Sequence, residues 1–144
     1  MAIAQGQCTI FKVNCLSGLE NFASGTPYTY KIALYTGLAN LGPATTAYTT
    51  ADEISGTGYT AGGLPLAVSQ TPTSGTSTTA YLSFQNAVWT GANFTARCAL
   101  IYNSNTGAAV CVLDFGSDKV TTPAGSFTVV FPQATADTAI LRIS

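Results

Sequence analysis

The sequence predicts an all-β domain: an antiparallel β-sandwich, jelly-roll-like, preceded by an N-terminal arm and a short helix. Three observations predict it. From Pro27 onward, apolar residues recur at every second position in runs of five to ten residues. Turns rich in Gly, Pro, Thr and Asn separate these runs. Only one stretch, TIFKVNCLSGLENF, follows a helical rhythm. Short strands with such turns make a sandwich or a barrel. Strand spacing alone suits a jelly roll and an immunoglobulin-like sandwich equally, although the Cys…Trp…Cys order of antibody domains is missing. The chain therefore divides into residues 1–26, an arm and helix serving attachment or intersubunit clamping, and residues 27–144, the β domain.

Residues 1–8 are expected to form the arm. In residues 9–22, Ile10, Val13, Leu16, Leu19 and Phe22 recur every three positions, and Thr9 is placed to cap the start. Gly18 weakens this helix from inside. PYTYKIALYT puts Tyr28, Tyr30, Ile32 and Leu34 on one face, and LPLAVSQ does the same with Leu64, Leu66 and Val68. TPTSGTSTT is a polar turn. AYLSFQNAVWT carries Leu82 and Phe84, then bends near Asn86 before Trp89. GSFTVVFP alternates Phe127, Val129 and Phe131, and TAILRIS closes the chain with Ala139, Leu141 and Ile143 on one side.

NFTARCALIYN and GAAVCVLDFG flank a turn and form a hairpin. With Tyr102 opposite Gly107, Leu100 faces Ala109, Cys98 faces Cys111, Ala96 faces Leu113 and Phe94 faces Phe115. This register makes one face wholly apolar or small. It sets Arg97 diagonal to Asp114, and it places Cys98 beside Cys111 as a disulfide or, in a reducing compartment, as two core thiols.

The glycine cluster in ADEISGTGYTAGG raises the question of a phosphate loop. A Walker-type loop needs Lys-Ser/Thr after its last glycine, whereas Leu64, Pro65 and Leu66 follow Gly63. A dinucleotide loop needs a following helix and an acid about 20 residues on; here a strand-like run follows and the next carboxylate is Asp114. The glycines are expected to serve positive φ or close packing instead.

Catalytic chemistry finds no residues to carry it. The chain has no histidine, which excludes Ser-His-Asp and Cys-His arrangements. The cysteines, Cys8, Cys15, Cys98 and Cys111, form no C-x-x-C, so no zinc site is expected. The acids are Glu20, Asp52, Glu53, Asp114, Asp118 and Asp137. Adjacent Asp52 and Glu53 point to opposite sides of an extended chain, and Asp114 and Asp118 flank an expected turn, FGSDK, with too few oxygens for a calcium cage. No catalytic, cofactor or metal residue is assigned. Tyr48, Tyr59 and Tyr102 lie in or near loops, where they stack on sugars or pack on the strands below; packing is the expectation.

Composition points to a covered surface. Of the 144 residues 47% are hydrophobic and only 8% charged, against about 25% charged in an ordinary soluble domain. Either other subunits cover part of the surface or Ser, Thr, Asn and Gln solvate it. A net charge of −1 without a basic patch argues against nucleic-acid binding. No apolar run approaches 20 residues, so no membrane span is expected, and the start lacks the pattern of a signal peptide.

Several segments together resemble a known family: the start MAIAQGQCTIFKVNCLSGLENF, then YKIALYT, TTAYTTADEISGTGYTAGG, FTARCALIYN, VCVLDFGSDK and the closing FTVVFP…ADTAILRIS. They resemble small tailed-bacteriophage virion proteins that look like capsid decoration, or cement, proteins, and the likeness covers nearly the whole chain. Where family members commonly place Gly, this chain has Cys98, which argues against a functional thiol there. The resemblance implies a structural protein, not an enzyme, made in the host bacterial cytoplasm and carried on the capsid exterior. Its implied partners are the major capsid protein and copies of itself in a homotrimer. The alternative is a tail or head fiber module that binds a host receptor or glycan.

Overall fold

The computed structural model describes residues 2–25 and 28–144. The boundary expected between residues 26 and 27 falls on positions outside that range. The described chain is mostly β, with ten strands and one short helix. In order these are β1 (Gly6–Gln7), α1 (Thr9–Leu16), β2 (Tyr30–Tyr35), β3 (Leu64–Leu66), β4 (Val68–Thr73), β5 (Ala80–Phe84), β6 (Ala87–Ala92), β7 (Thr95–Asn103), β8 (Ala109–Val120), β9 (Gly125–Val129) and β10 (Leu141–Ile143). All strand pairs are antiparallel. They form a five-stranded sheet in the order β1-β8-β7-β2-β3, a three-stranded sheet β10-β5-β4, and a two-stranded ribbon β6-β9.

One apolar core joins the three sheets. Aromatic rings bridge them: Phe84 meets Phe131 at 5.8 Å between centroids, and Phe127 meets Phe94 at 5.4 Å and Phe115 at 5.9 Å. Trp89 is buried there, with its indole N–H unpartnered.

The N-terminal residues are built into the body rather than free as an arm. Ala4 N–H donates to the Leu41 carbonyl and Leu41 N–H to that of Ala2. Gly6 and Gln7 pair with Val112 and Cys111. Cys8, Phe11 and Phe22 belong to the same core as the sheet residues. The helix is also shorter than its periodicity predicts. Gly18, at φ +73°, stops it. Gly18 N–H bonds the Cys15 carbonyl and Leu19 N–H bonds that of Asn14, the paired closure that a left-handed glycine makes at a helix end. Thr9 is not the cap; Cys8 holds that position, without a side-chain bond.

The β7–β8 register differs from the one the alternation predicts. Cys98 faces Asp114 and Cys111 faces Ile101, so the two thiols are not opposed, and all four cysteines are free. Two features explain the shift. Most of β2, most of β7 and the first half of β8 are buried on both faces, so alternation no longer selects a register. The turn then decides: Asn103 N–H bonds the Ala108 carbonyl, Gly107 N–H bonds that of Asn103, and Asn103 Oδ1 accepts from Asn105 N–H. A bulge absorbs the extra residue between Ile101 and Tyr102, where the Val110 carbonyl takes the Cys8 N–H at 2.8 Å.

FGSDK is likewise not a chain reversal. β8 runs through it to Val120 with a second bulge at Gly116, φ +80°, whose N–H bonds Asp114 Oδ1 at 2.8 Å. LPLAVSQ splits at Ala67 into β3 and β4, which lie in different sheets. The bend near Asn86 stands: it separates β5 from β6, and Asn86 Oδ1 holds Phe131 N–H.

Candidate interaction surface

The glycine-rich segment is closed against backbone. A Cβ on Gly63, φ +78°, would fall onto the Ile32 carbonyl and lie 2.8 Å from Ala33 Cα. At Gly58 it would sit 2.8 Å from the Gly91 carbonyl oxygen, and at Gly56 2.7 Å from that of Asn93. These are approaches no real Cβ makes, and they leave no cradle for a phosphate. The glycines let the loop lie directly on β2 and on the chain around β6.

That loop is drawn in by Glu53. Its Oε2 accepts from the Tyr48 hydroxyl at 2.6 Å; its Oε1 accepts from the Tyr59 hydroxyl at 2.6 Å and from Gly62 N–H at 2.7 Å. Tyr59 OH in turn accepts from Leu34 N–H, and Tyr102 OH donates to the Gly62 carbonyl. The Tyr48 and Tyr102 rings stack at 4.6 Å. Burial, followed by the bond to Glu53, pushes the Tyr48 and Tyr59 phenols well above their ordinary range. Tyr102 is buried, and Tyr48 and Tyr59 are half-buried with their hydroxyls bonded to Glu53, so the three loop tyrosines pack on the fold.

A second carboxylate is tied down the same way. Glu20 Oε2 accepts from the Tyr30 hydroxyl at 2.7 Å and from the Asn103 amide at 3.3 Å, and Oε1 from the Asn14 amide at 3.5 Å. Asp114 pairs with Arg97 at 3.2 Å, the ion pair the sequence suggested. Glu20, Glu53 and Asp114 are therefore engaged in holding the fold. Among the described residues no group of three or more His, Cys, Asp or Glu is placed to hold a metal ion. Sequence reasoning missed the two Glu–Tyr clusters; only the clustering of Tyr48, Glu53 and Tyr59 within twelve residues hinted at one of them.

The open region lies at the other end of the sequence's oddities, around α1. The helix buries Phe11 and Asn14 and turns outward most of the stripe read from the sequence. Leu16 is 92% exposed, Leu19 51% and Val13 49%. Beside it Ile143 of β10 is 54% exposed, although alternation predicted it inside with Leu141. Between α1 and β10 run two adjoining grooves. One, of about 260 Å³, has an apolar floor that includes Phe11, Phe22, Leu82 and Leu141. The other, of about 540 Å³, is bordered by Gln7, Lys12, Cys15, Leu16 and Arg142. Cys15, Arg142 and Ile143 belong to both. These exposed apolar side chains beside the grooves make this face the candidate interaction surface.

No protein family, characterised protein or solved structure matches this chain. No helix among the described residues is long and apolar enough to cross a membrane, which says nothing of strands.

Proposed function

We propose that this chain is a structural protein of a tailed-bacteriophage virion, a decoration protein that binds the major capsid protein on the outside of the shell and stabilises it. The observation that carries the reading is the outward apolar face of α1, with Leu16 92% exposed, on a chain only 8% charged. Such a surface is costly to leave in water and inexpensive to cover with protein. The resemblance of the sequence to small virion proteins supplies the identity of the partner. Under this reading the three sheets around one core make a sandwich of jelly-roll type. The protein is a homotrimer, it has no enzymatic role, and it binds neither nucleic acid nor membrane.

A clamp that binds the assembled shell and not its loosened form stabilises it by mass action, and three copies acting together multiply weak contacts. The test uses shells that lack the protein. Added protein should bind them and raise their resistance to heat, and light scattering of the free protein should give the mass of a trimer. A monomer that leaves shell stability unchanged, while binding host polysaccharide, would replace this reading with the fiber module.

A further inference from the structure

We propose that the cleft between α1 and β10 receives an extended peptide segment of the partner, which adds a strand along β10, seats apolar side chains on the groove floor and places a carboxylate on Lys12 or Arg142. This inference rests on α1 being the attachment surface. It adds the form and chemistry of what attaches.

Four strands form the outer edges of the two larger sheets: β1 and β3 of one, β4 and β10 of the other. Exposed edges invite pairing, and prolines and bulges are the usual guards. β3 carries Pro65, and β4 carries Pro72 and two register shifts. β1, only two residues long, and β10, Leu-Arg-Ile, carry neither guard, and of the two only β10 lines both grooves. Its residues pair with Leu82, Tyr81 and Ala80 on one side. The Arg142 carbonyl takes a hydrogen bond from Gln7 Nε2 at 2.7 Å. That carbonyl is thus held by a side-chain amide, which an added strand would displace.

Charge narrows the occupant. Neither Lys12 nor Arg142 pairs with a carboxylate among the described residues. Arg142 Nη1 is held by the carbonyls of Asp137 at 2.6 Å and Ala136 at 3.4 Å, which orient it without neutralising it. Glu20, at the far end of the groove, is taken up by Tyr30 and Asn103. A segment that alternates apolar residues and carries an acid satisfies edge, floor and cations together. A second copy meeting this one across a two-fold axis through the cleft would set like charges against each other instead.

The test pans an array of random ten-residue peptides against the intact protein. Retained peptides should alternate apolar with polar residues and contain Asp or Glu. Their binding should weaken about tenfold in Lys12→Glu and also fall in Leu16→Asp, a fully surface position that keeps the fold measurable by circular dichroism. Amide exchange of residues 141–143 should slow when such a peptide is bound. The proposal is overturned if no peptide is retained, if the retained peptides bind both variants as well as the parent, or if exchange at β10 is unchanged. Peptide capture combined with no binding to shells would keep this inference and remove the virion reading.

Discussion

Two surface regions of this molecule, one rich in glycine and threonine and one rich in large aliphatic residues, end up opposite in character. The segment Ala51–Gly63 is closed: Gly56, Gly58 and Gly63 rest on backbone, and Glu53 gathers two phenols and an amide inward. The face made by α1 and β10 is open: Val13, Leu16, Leu19 and Ile143 are exposed, and Lys12 and Arg142 have no acidic partner among the described residues. The difference shows that a glycine-rich loop need not be a binding loop. Where a Cβ would meet backbone, glycine seals a surface; where a short helix ends on Gly18 before its stripe is covered, a surface is left to be filled.

The largest effect should come from breaking the seal. Gly63→Ala places a methyl group on the Ile32 carbonyl at a φ of +78°. Overpacking and strain together should cost about 3 kcal/mol or more, read as a lower denaturation midpoint. A variant as stable as the parent would mean that the loop lifts off β2 easily and is not a clamp. Glu53→Gln comes next. It leaves one acceptor oxygen for three donors, from Tyr48, Tyr59 and Gly62. Loss of charge-assisted bonds should cost about 2 kcal/mol, with faster amide exchange at Gly62.

Much of this was legible beforehand, and what was not has physical causes. The β class, the bend at Asn86 and the packing role of the glycines follow from local chemistry, whereas the Arg97–Asp114 pair was reached through a register that β7 and β8 do not adopt. The β7–β8 register did not follow, because both faces of the central strands are buried and the side-chain bonds of Asn103 set the turn. The extent of α1 did not follow, because periodicity continues past the glycine that ends the helix. The Glu20–Tyr30 cluster joins residues ten apart through a third partner, Asn103, far along the chain, which spacing cannot show. The outward stripe was visible as a stripe; its direction was not.

The thiols sharpen the same comparison with smaller effects. Burial raises Cys8 from an ordinary 9.0 to about 11. Burial, then the Asp114 charge, raises Cys98 to about 12. Cys15 opens on the grooves. At neutral pH one thiol, Cys15, should alkylate readily in the folded protein and all four after denaturation, as counted by mass spectrometry. The folded values lie above the unfolded one, so the stability these neutral thiols confer is whole below pH 9 and is lost as pH rises toward 11 to 12. Unfolding free energy should therefore decline across that window. Rapid alkylation of Cys8 or Cys98 at neutral pH would show that the core around these two buried thiols opens readily.

The smallest effect on stability should come from Leu16→Ser, and it bears most directly on what the open face is for. Leu16 is 92% exposed, so removing its side chain takes little apolar contact from the fold. The change in unfolding free energy should stay within about 0.5 kcal/mol. Val13 and Leu19 lie on the same exposed stripe, and a hydroxyl at its centre would have to be desolvated whenever a partner covers it. Binding to shells lacking the protein should therefore weaken markedly while the melting transition hardly moves. That separation is the signature of a surface kept apolar for a partner. If Leu16→Ser instead unfolds the protein, α1 is a structural element whose exposure is incidental. If it changes neither stability nor shell binding, attachment lies on another face, and the exposed Val120 at the end of β8 and Val130 just past β9 are the next to substitute.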